Sequence, residues 1–166
     1  QQGIFNIKGA PVTPYTILNT YKHNENIHAW YKTSAVVNRM LYAGNVSYYD
    51  KNATGIGRAE NPVNFPDRLL RSPSNKFDIL PRSSFLDLIV HDSQDIVKLT
   101  AFNKNLLIFK HDDLFVVDCS PVASGEREIL KSTHKGMGVT LATQVCSTPN
   151  AVYWINSQGV YGIDNE

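Results

Sequence analysis

The sequence predicts an all-β protein of antiparallel, β-propeller-like blades, and three observations carry that expectation. The first is a hairpin plan written twice. Residues 105–118 run as an apolar stretch from Leu106 to Phe109, a polar turn at His111-Asp112-Asp113, a second apolar stretch from Leu114 to Val117, and a closing Asp118. Residues 150–164 repeat the plan with Val152 to Ile155, a turn at Asn156 to Gly159, then Val160, Tyr161 and Ile163 before Asp164. A weaker third copy lies upstream at residues 38–46. Recurrence at roughly 40–50 residues is the spacing of four-stranded propeller blades. The second observation is that strand formers cluster in short runs divided by Asn, Asp, Gly and Ser. The third is that no 3.6-residue apolar period persists anywhere.

At 166 residues and 18.6 kDa the chain can bury a substantial core. Blades of about 45 residues give about three, fewer than the four of the smallest closed propellers. The expectation is therefore a partial propeller: a section of a longer polypeptide, or a ring completed by neighbouring chains. A start at Gln1 and an end soon after Asp164 favour the section. Sixteen Lys+Arg face 15 Asp+Glu, so no global charge argues for nucleic acid or a membrane surface. No apolar run approaches the roughly 20 residues that span a bilayer, and no signal-peptide core is legible, so no membrane anchoring is expected. Cys119 and Cys146 both sit beside strand-like residues and read as half-buried free thiols, in keeping with synthesis in a reducing compartment.

Along the chain, residues 1–27 read as an extended N-terminal arm with one short strand near Tyr15 to Leu18, and residues 28–166 as the propeller-like domain. Regular structure is expected from Ile27, with a hairpin turning at Asn38-Arg39. Residues 50–65 read as a polar, mobile excursion through Gly55 and Gly57. Pro66 to Pro73 is a short strand closed by proline, and Phe85 to Ile89 another. Ile96 to Phe102 opens the second repeat. Glu126 to Lys131 suits an outer strand or a single helical turn, since Glu, Arg and Leu favour helix. Val139 to Cys146 is expected to be the strand that opens the third repeat.

Few residues offer chemistry. His134-Lys135-Gly136-Met137-Gly138 has the glycines and the lysine of a backbone anion nest, but not the phosphate-loop spacing, so a turn into the next blade is the favoured reading. Gly55-Ile56-Gly57-Arg58 is read the same way. His111-Asp112-Asp113, with His91-Asp92 near in sequence, supplies metal-ligand types, yet in a short hairpin turn where Asp is favoured for its geometry. The five histidines lack zinc spacing, and no Gly-x-Ser-x-Gly elbow surrounds Ser84, Ser124 or any other serine. The sequons Asn45-Val46-Ser47 and Asn52-Ala53-Thr54 occur at the rate chance gives for this composition. The expectation is no catalytic residue, no cofactor and no metal. Aromatic residues such as Phe109, Phe115, Tyr153 and Trp154 suit packing between blades better than a sugar-stacking surface. Leu107, Phe109, Val116, Val152, Trp154 and Tyr161 are the candidates for that packing.

The order of these motifs carries a resemblance. Tyr31 to Val46 forms a strand and hairpin ending in Gly44-Asn45-Val46. Pro66-Asp67-Arg68 leads to Ser72-Pro73 and to Lys76-Phe77-Asp78-Ile79-Leu80-Pro81-Arg82. Ala101 to Lys110, His134 to Gly138, and the Trp154-Ile155-Asn156 to Gly159-Val160-Tyr161 hairpin follow. Over roughly residues 28–164 this resembles the propeller-bearing structural proteins of tailed bacteriophages, of the tail nozzle or hub type in short-tailed phages. The resemblance implies a virion tail component, made in the host cytoplasm, that assembles in a ring of its own copies. It also implies contact with neighbouring tail proteins and non-specific contact with phage DNA in the channel. It implies no catalytic residue. Members of that kind are much longer than this chain. The alternative expectation is a glycan- or host-receptor-binding propeller module. Arg68, Arg71 and Arg82 are the residues to follow for a DNA channel, although loop arginines are commonly plain surface residues.

Overall fold

A computed structural model describes residues 27–50, 54–57, 60–81, 83–87, 94–121 and 127–164. The N-terminal arm through residue 26, Arg82, His91-Asp92, the Asn52 sequon and Ser124 lie outside them. The fold is all-β, with three antiparallel sheets in chain order. The first comprises β1 (Ile27–Val37), β2 (Met40–Asp50), β3 (Val63–Arg71) and β4 (Phe85–Asp87). The second comprises β5 (Lys98–Phe102), β6 (Asn105–Phe109), β7 (Asp113–Asp118) and β8 (Ile129–Lys135). The third comprises β9 (Val145–Ser147), β10 (Ala151–Asn156) and β11 (Gly159–Asp164). Every sheet is a meander in which each strand pairs with the one before it. The described residues form no closed ring of sheets.

Turn chemistry sets the registers. Val37 pairs with Met40 across Asn38-Arg39, whose φ values of 49° and 64° are those of a two-residue type I′ turn. The next sheet also turns in two residues, but with a left-handed backbone at the first alone: Phe102 pairs with Asn105, and Asn103 takes a φ of 55°. Asparagine is tolerated there because its short polar side chain offsets the left-handed backbone locally. The β2–β3 ladder breaks between Gly44 and Val46, where Asn45 has φ 58° and β3 carries Pro66. A proline inside a strand is confined to such an irregularity because it cannot donate to the ladder.

Three expectations are corrected. The excursion is shorter than residues 50–65, since Asp50 closes β2 and Val63 to Phe65 already belong to β3. Alternation along Val139 to Cys146 does not produce a strand of that length. Residues 142–144 form a single 3-10 turn, the Gln144 side chain reaches back to accept from the Thr140 and Leu141 amides that lead into it, and β9 begins only at Val145. Cys146 is exposed, whereas Cys119 is buried; both are free. The outer-strand reading of Glu126 to Lys131 holds for its described end, with β8 starting at Ile129 and its side chains mostly exposed.

The two hairpins of the repeat occupy equivalent places in consecutive sheets. Asn105↔Asp118 in one corresponds to Ala151↔Asp164 in the other, and Thr100↔Leu107 corresponds to Cys146↔Tyr153. Positions 100, 105, 107 and 118 thus map to 146, 151, 153 and 164, a displacement of 46 throughout. A constant displacement over three strands means that every side chain keeps its face, because a one-residue slip would invert them all.

That register explains the packing. Leu99, Leu106, Ile108, Phe115 and Val117 share one face of the second sheet and pack with Val37, Met40, Tyr42 and Leu69 of the first. The other face, with Phe102, Leu107, Phe109, Leu114 and Val116, packs with Val152 and Trp154 of the third. All six residues expected to pack between blades belong to this second cluster, Tyr161 as a half-buried member. Phe109 meets Trp154 edge-on at 5.3 Å between ring centroids, and Trp154 stacks on Tyr161 at 5.7 Å. Polar bonds close the first seam: the Leu99 amide donates to Thr33 Oγ1 at 2.9 Å, and Asn38 Nδ2 donates to the Cys119 carbonyl at 3.0 Å.

Candidate functional site

The best-looking chemical motif in the sequence is a joint between sheets. The amides of Gly138 and Val139 donate to the carbonyls of Asp112 and Lys110, each at 2.9 Å. Asn156 Nδ2 donates to the carbonyls of Gly136 and Gly138 at 2.9 and 3.0 Å, while its Oδ1 accepts from the Gln158 amide at 2.8 Å. Residues 136–139 are therefore stapled to the β6–β7 turn on one side and to the β10–β11 turn on the other. Two amides that would have lined an anion nest are spent inside the protein. Gly138 is needed for close approach: a Cβ there would lie 2.5 Å from the Lys110 oxygen and from the Asp112 carbonyl carbon.

Asn156 is a residue that sequence reasoning placed only in a turn. Its signal would have been an amide at the end of a strand, where one side chain can both donate to neighbouring carbonyls and accept from the turn. Asn156→Ala is expected to cost about 1–3 kcal/mol, because two partly buried carbonyls and one turn amide lose a partner. Urea denaturation of the variant checks this.

The remaining candidates resolve one by one. His111 and Asp112 form the exposed β6–β7 turn and Asp113 opens β7. No group of three or more His, Cys, Asp or Glu side chains suited to a metal occurs among the described residues. Gly55 and Gly57 have φ values of 89° and 93°, and the Gly57 amide donates to the Asn61 carbonyl at 2.7 Å, which makes this segment a turn. Asn45 of the first sequon is buried, and its Nδ2 donates to the Ile96 carbonyl at 3.1 Å. The closing Asp118 accepts from the Ser120 amide at 2.8 Å, and this bonding to Ser120 holds its carboxyl below the usual range.

Two of the three arginines are occupied. Arg68 makes a bidentate pair with Asp87, at 2.7 and 2.8 Å, and its guanidinium lies 3.9 and 4.1 Å from the ring centroids of Phe65 and Phe85. Arg71 donates to Glu128 Oε1 at 2.8 Å. The same oxygen accepts from the Tyr42 hydroxyl at 2.9 Å, so Glu128 joins β2 and β3 to the approach of β8. Beside this cluster, Arg71, Ser84, Arg127 and Glu128 line a depression of about 120 Å³. Ligand pockets are generally about 300–1,000 Å³, so this one is too small for more than a few waters.

No protein-family model matches the chain, and no curated protein matches it. No helix among the described residues is long and apolar enough to cross a membrane.

Burial of Tyr42 and Cys119 has a pH consequence. Desolvation pushes the Tyr42 hydroxyl above its ordinary value of 10.0, and burial pushes the Cys119 thiol from 9.0 to about 11. Both groups are neutral at pH 7, and both release a proton more readily from the unfolded chain. Stability should thus be fully present below pH 9 and decline by about 2 kcal/mol as pH rises towards 11, with Tyr42 steepening the loss above pH 10. Urea midpoints between pH 7 and pH 11 check the sign. A midpoint that rises across that window contradicts it.

Proposed function

We propose that this chain is a partial β-propeller that serves as a structural component of a phage tail, of the nozzle or hub type. The observation that carries the architecture is the constant register of consecutive meander sheets, stacked through apolar faces in chain order. Propeller blades are built on that plan. The tail role is carried by the order of sequence motifs between residues 28 and 164. The polar groups described above support it by their use: the glycine motif, Asn156, Glu128, Arg68 and Arg71 all hold backbone or sheets together. In this role the protein forms a ring of its own copies, contacts neighbouring tail proteins and surrounds the DNA channel. Arg68 and Arg71 are paired, so contact with DNA is assigned to exposed cations such as Lys131 and Lys135 on β8, which also shield that strand's outer edge.

Mass spectrometry of purified virions and of isolated tails, with electron microscopy of particles from a gene deletion, tests the role. The expected result is this chain in the tail fraction, and deletion particles that lack a tail section or fail to retain DNA. Complete tails in the deletion, or stoichiometric glycan binding by a monomer, would replace this proposal with a recognition module.

A further inference from the structure

The third sheet has one face that the second sheet never leaves open. Under the displacement of 46 positions, Cys146, Tyr153, Ile155, Val160 and Gly162 stand where Thr100, Leu107, Phe109, Leu114 and Val116 stand in the second sheet. Leu107 and Phe109 are both 0 % exposed and Leu114 is 2 %, because the next sheet covers them; Tyr153 is 48 %, Ile155 50 % and Val160 73 % exposed. The face has no charged side chain among these five positions, and the Tyr153 ring lies across Gly162, 2.8 Å from where a Cβ would sit. The one charge on this side of β11 is Asp164 at the strand's end, the counterpart of Asp118, and an apolar surface at a register position buried one repeat earlier is an interface surface.

We propose that this face seats a fourth antiparallel sheet of the same repeat, belonging to the same polypeptide. Three arguments fix the occupant. Wherever this face is covered in the protein, the cover is the sheet that follows in sequence, presenting the side represented by Leu99, Leu106, Ile108, Phe115 and Val117. A second copy of the chain offers that side poorly: on the first sheet it is already packed, with Ala43, Val46 and Leu70 buried under Leu80. The area also disfavours a free partner. Three short strands at about 4.8 Å spacing and about 3.3 Å per residue present on the order of 300 Å², against about 800 Å² per partner in a stable complex. Covalent continuity supplies the effective concentration that so small a contact lacks. The inference rests on the propeller-like architecture proposed above and not on the tail assignment.

Cys146 reports on the face directly, since it is exposed on it while Cys119 is buried. The protein is purified from the particles or cells that make it, its intact mass is measured, and the folded protein is treated with N-ethylmaleimide. The Cys146 peptide is then quantified by mass spectrometry. The expected result is a mass above 18.6 kDa by at least about 5 kDa, the size of one further repeat. Cys146 should be labelled about 100-fold more slowly than in guanidinium. Val160→Glu, which places a charge in the seam, should return labelling towards the unfolded rate. Labelling of the native protein at close to the unfolded rate overturns the proposal. Protection in an 18.6 kDa protein that is lost on dilution overturns it too, in favour of a second copy. Neither outcome depends on whether the protein is found in a tail.

Discussion

Gly138→Ala should destabilise the protein by about 3–5 kcal/mol, the largest effect expected of a methyl group added at any described glycine. The added carbon would sit 2.5 Å from the Lys110 oxygen and 2.6 Å from the Asp113 nitrogen. Those are backbone atoms of a tight turn, so no rotamer change relieves the clash. The 136–139 segment must move away, which breaks the Gly138-to-Asp112 and Val139-to-Lys110 bonds together. Overpacking of this sort costs about 1–3 kcal/mol, and two lost bonds add about 1 kcal/mol each. Gly136→Ala is the informative control. Its Cβ would meet only the Gln158 side chain at 3.1 Å, which can swing aside, and its φ of 73° is strained for alanine. It should cost about 1 kcal/mol. Equal losses in the two variants would show that the 136–139 joint is not seated against the β6–β7 turn.

Trp154→Ala should cost about 3–5 kcal/mol, the range for truncating a buried aromatic residue. Trp154 is 5 % exposed and fills the space between Phe109 and Tyr161, so the cavity opens inside a seam between two sheets. Its Nε1 has no hydrogen-bond partner among the described residues. A buried donor left unpaired is penalised by about 1–3 kcal/mol, so Trp154→Phe loses contact area but sheds that penalty. The phenylalanine variant is therefore expected within about 1 kcal/mol of the parent. Thermal or urea unfolding of both variants separates packing from polarity at this position.

Much of the architecture was legible because it depends on local chemistry. Asn38-Arg39 announces a hairpin, and the paired apolar runs around His111-Asp112 and Ser157-Gln158 announce two more. Once the hairpins align, alternation alone places Leu107, Phe109, Val116, Val152 and Trp154 between sheets. What was not legible depends on contacts distant in sequence. Val139 to Cys146 alternates like a strand, yet Gly138 and Val139 bond to residues 110 and 112, and a 3-10 turn intervenes before Val145. Cys146 looked half-buried because its neighbours are apolar; its exposure follows from which face of the third sheet is covered. Val63 to Phe65 read as loop because Asn61, Pro62 and Asn64 punctuate them, whereas pairing with β2 draws them into β3. The ion pairs of Arg68 with Asp87 and of Arg71 with Glu128 join residues 19 and 57 positions apart, beyond any local pattern.

Stacking of consecutive sheets through a repeated register is the central claim, and a double-mutant cycle across the second seam tests it most directly. Phe109 on β6 and Trp154 on β10 share no strand or turn, and touch only if the two sheets pack as described. Unfolding free energies of Phe109→Leu, Trp154→Leu and the double variant give their coupling. The stacked arrangement predicts a coupling of about 0.5–1.5 kcal/mol between the rings. Strict additivity, within about 0.3 kcal/mol, would mean that the rings do not meet and that the sheets are not stacked through these faces.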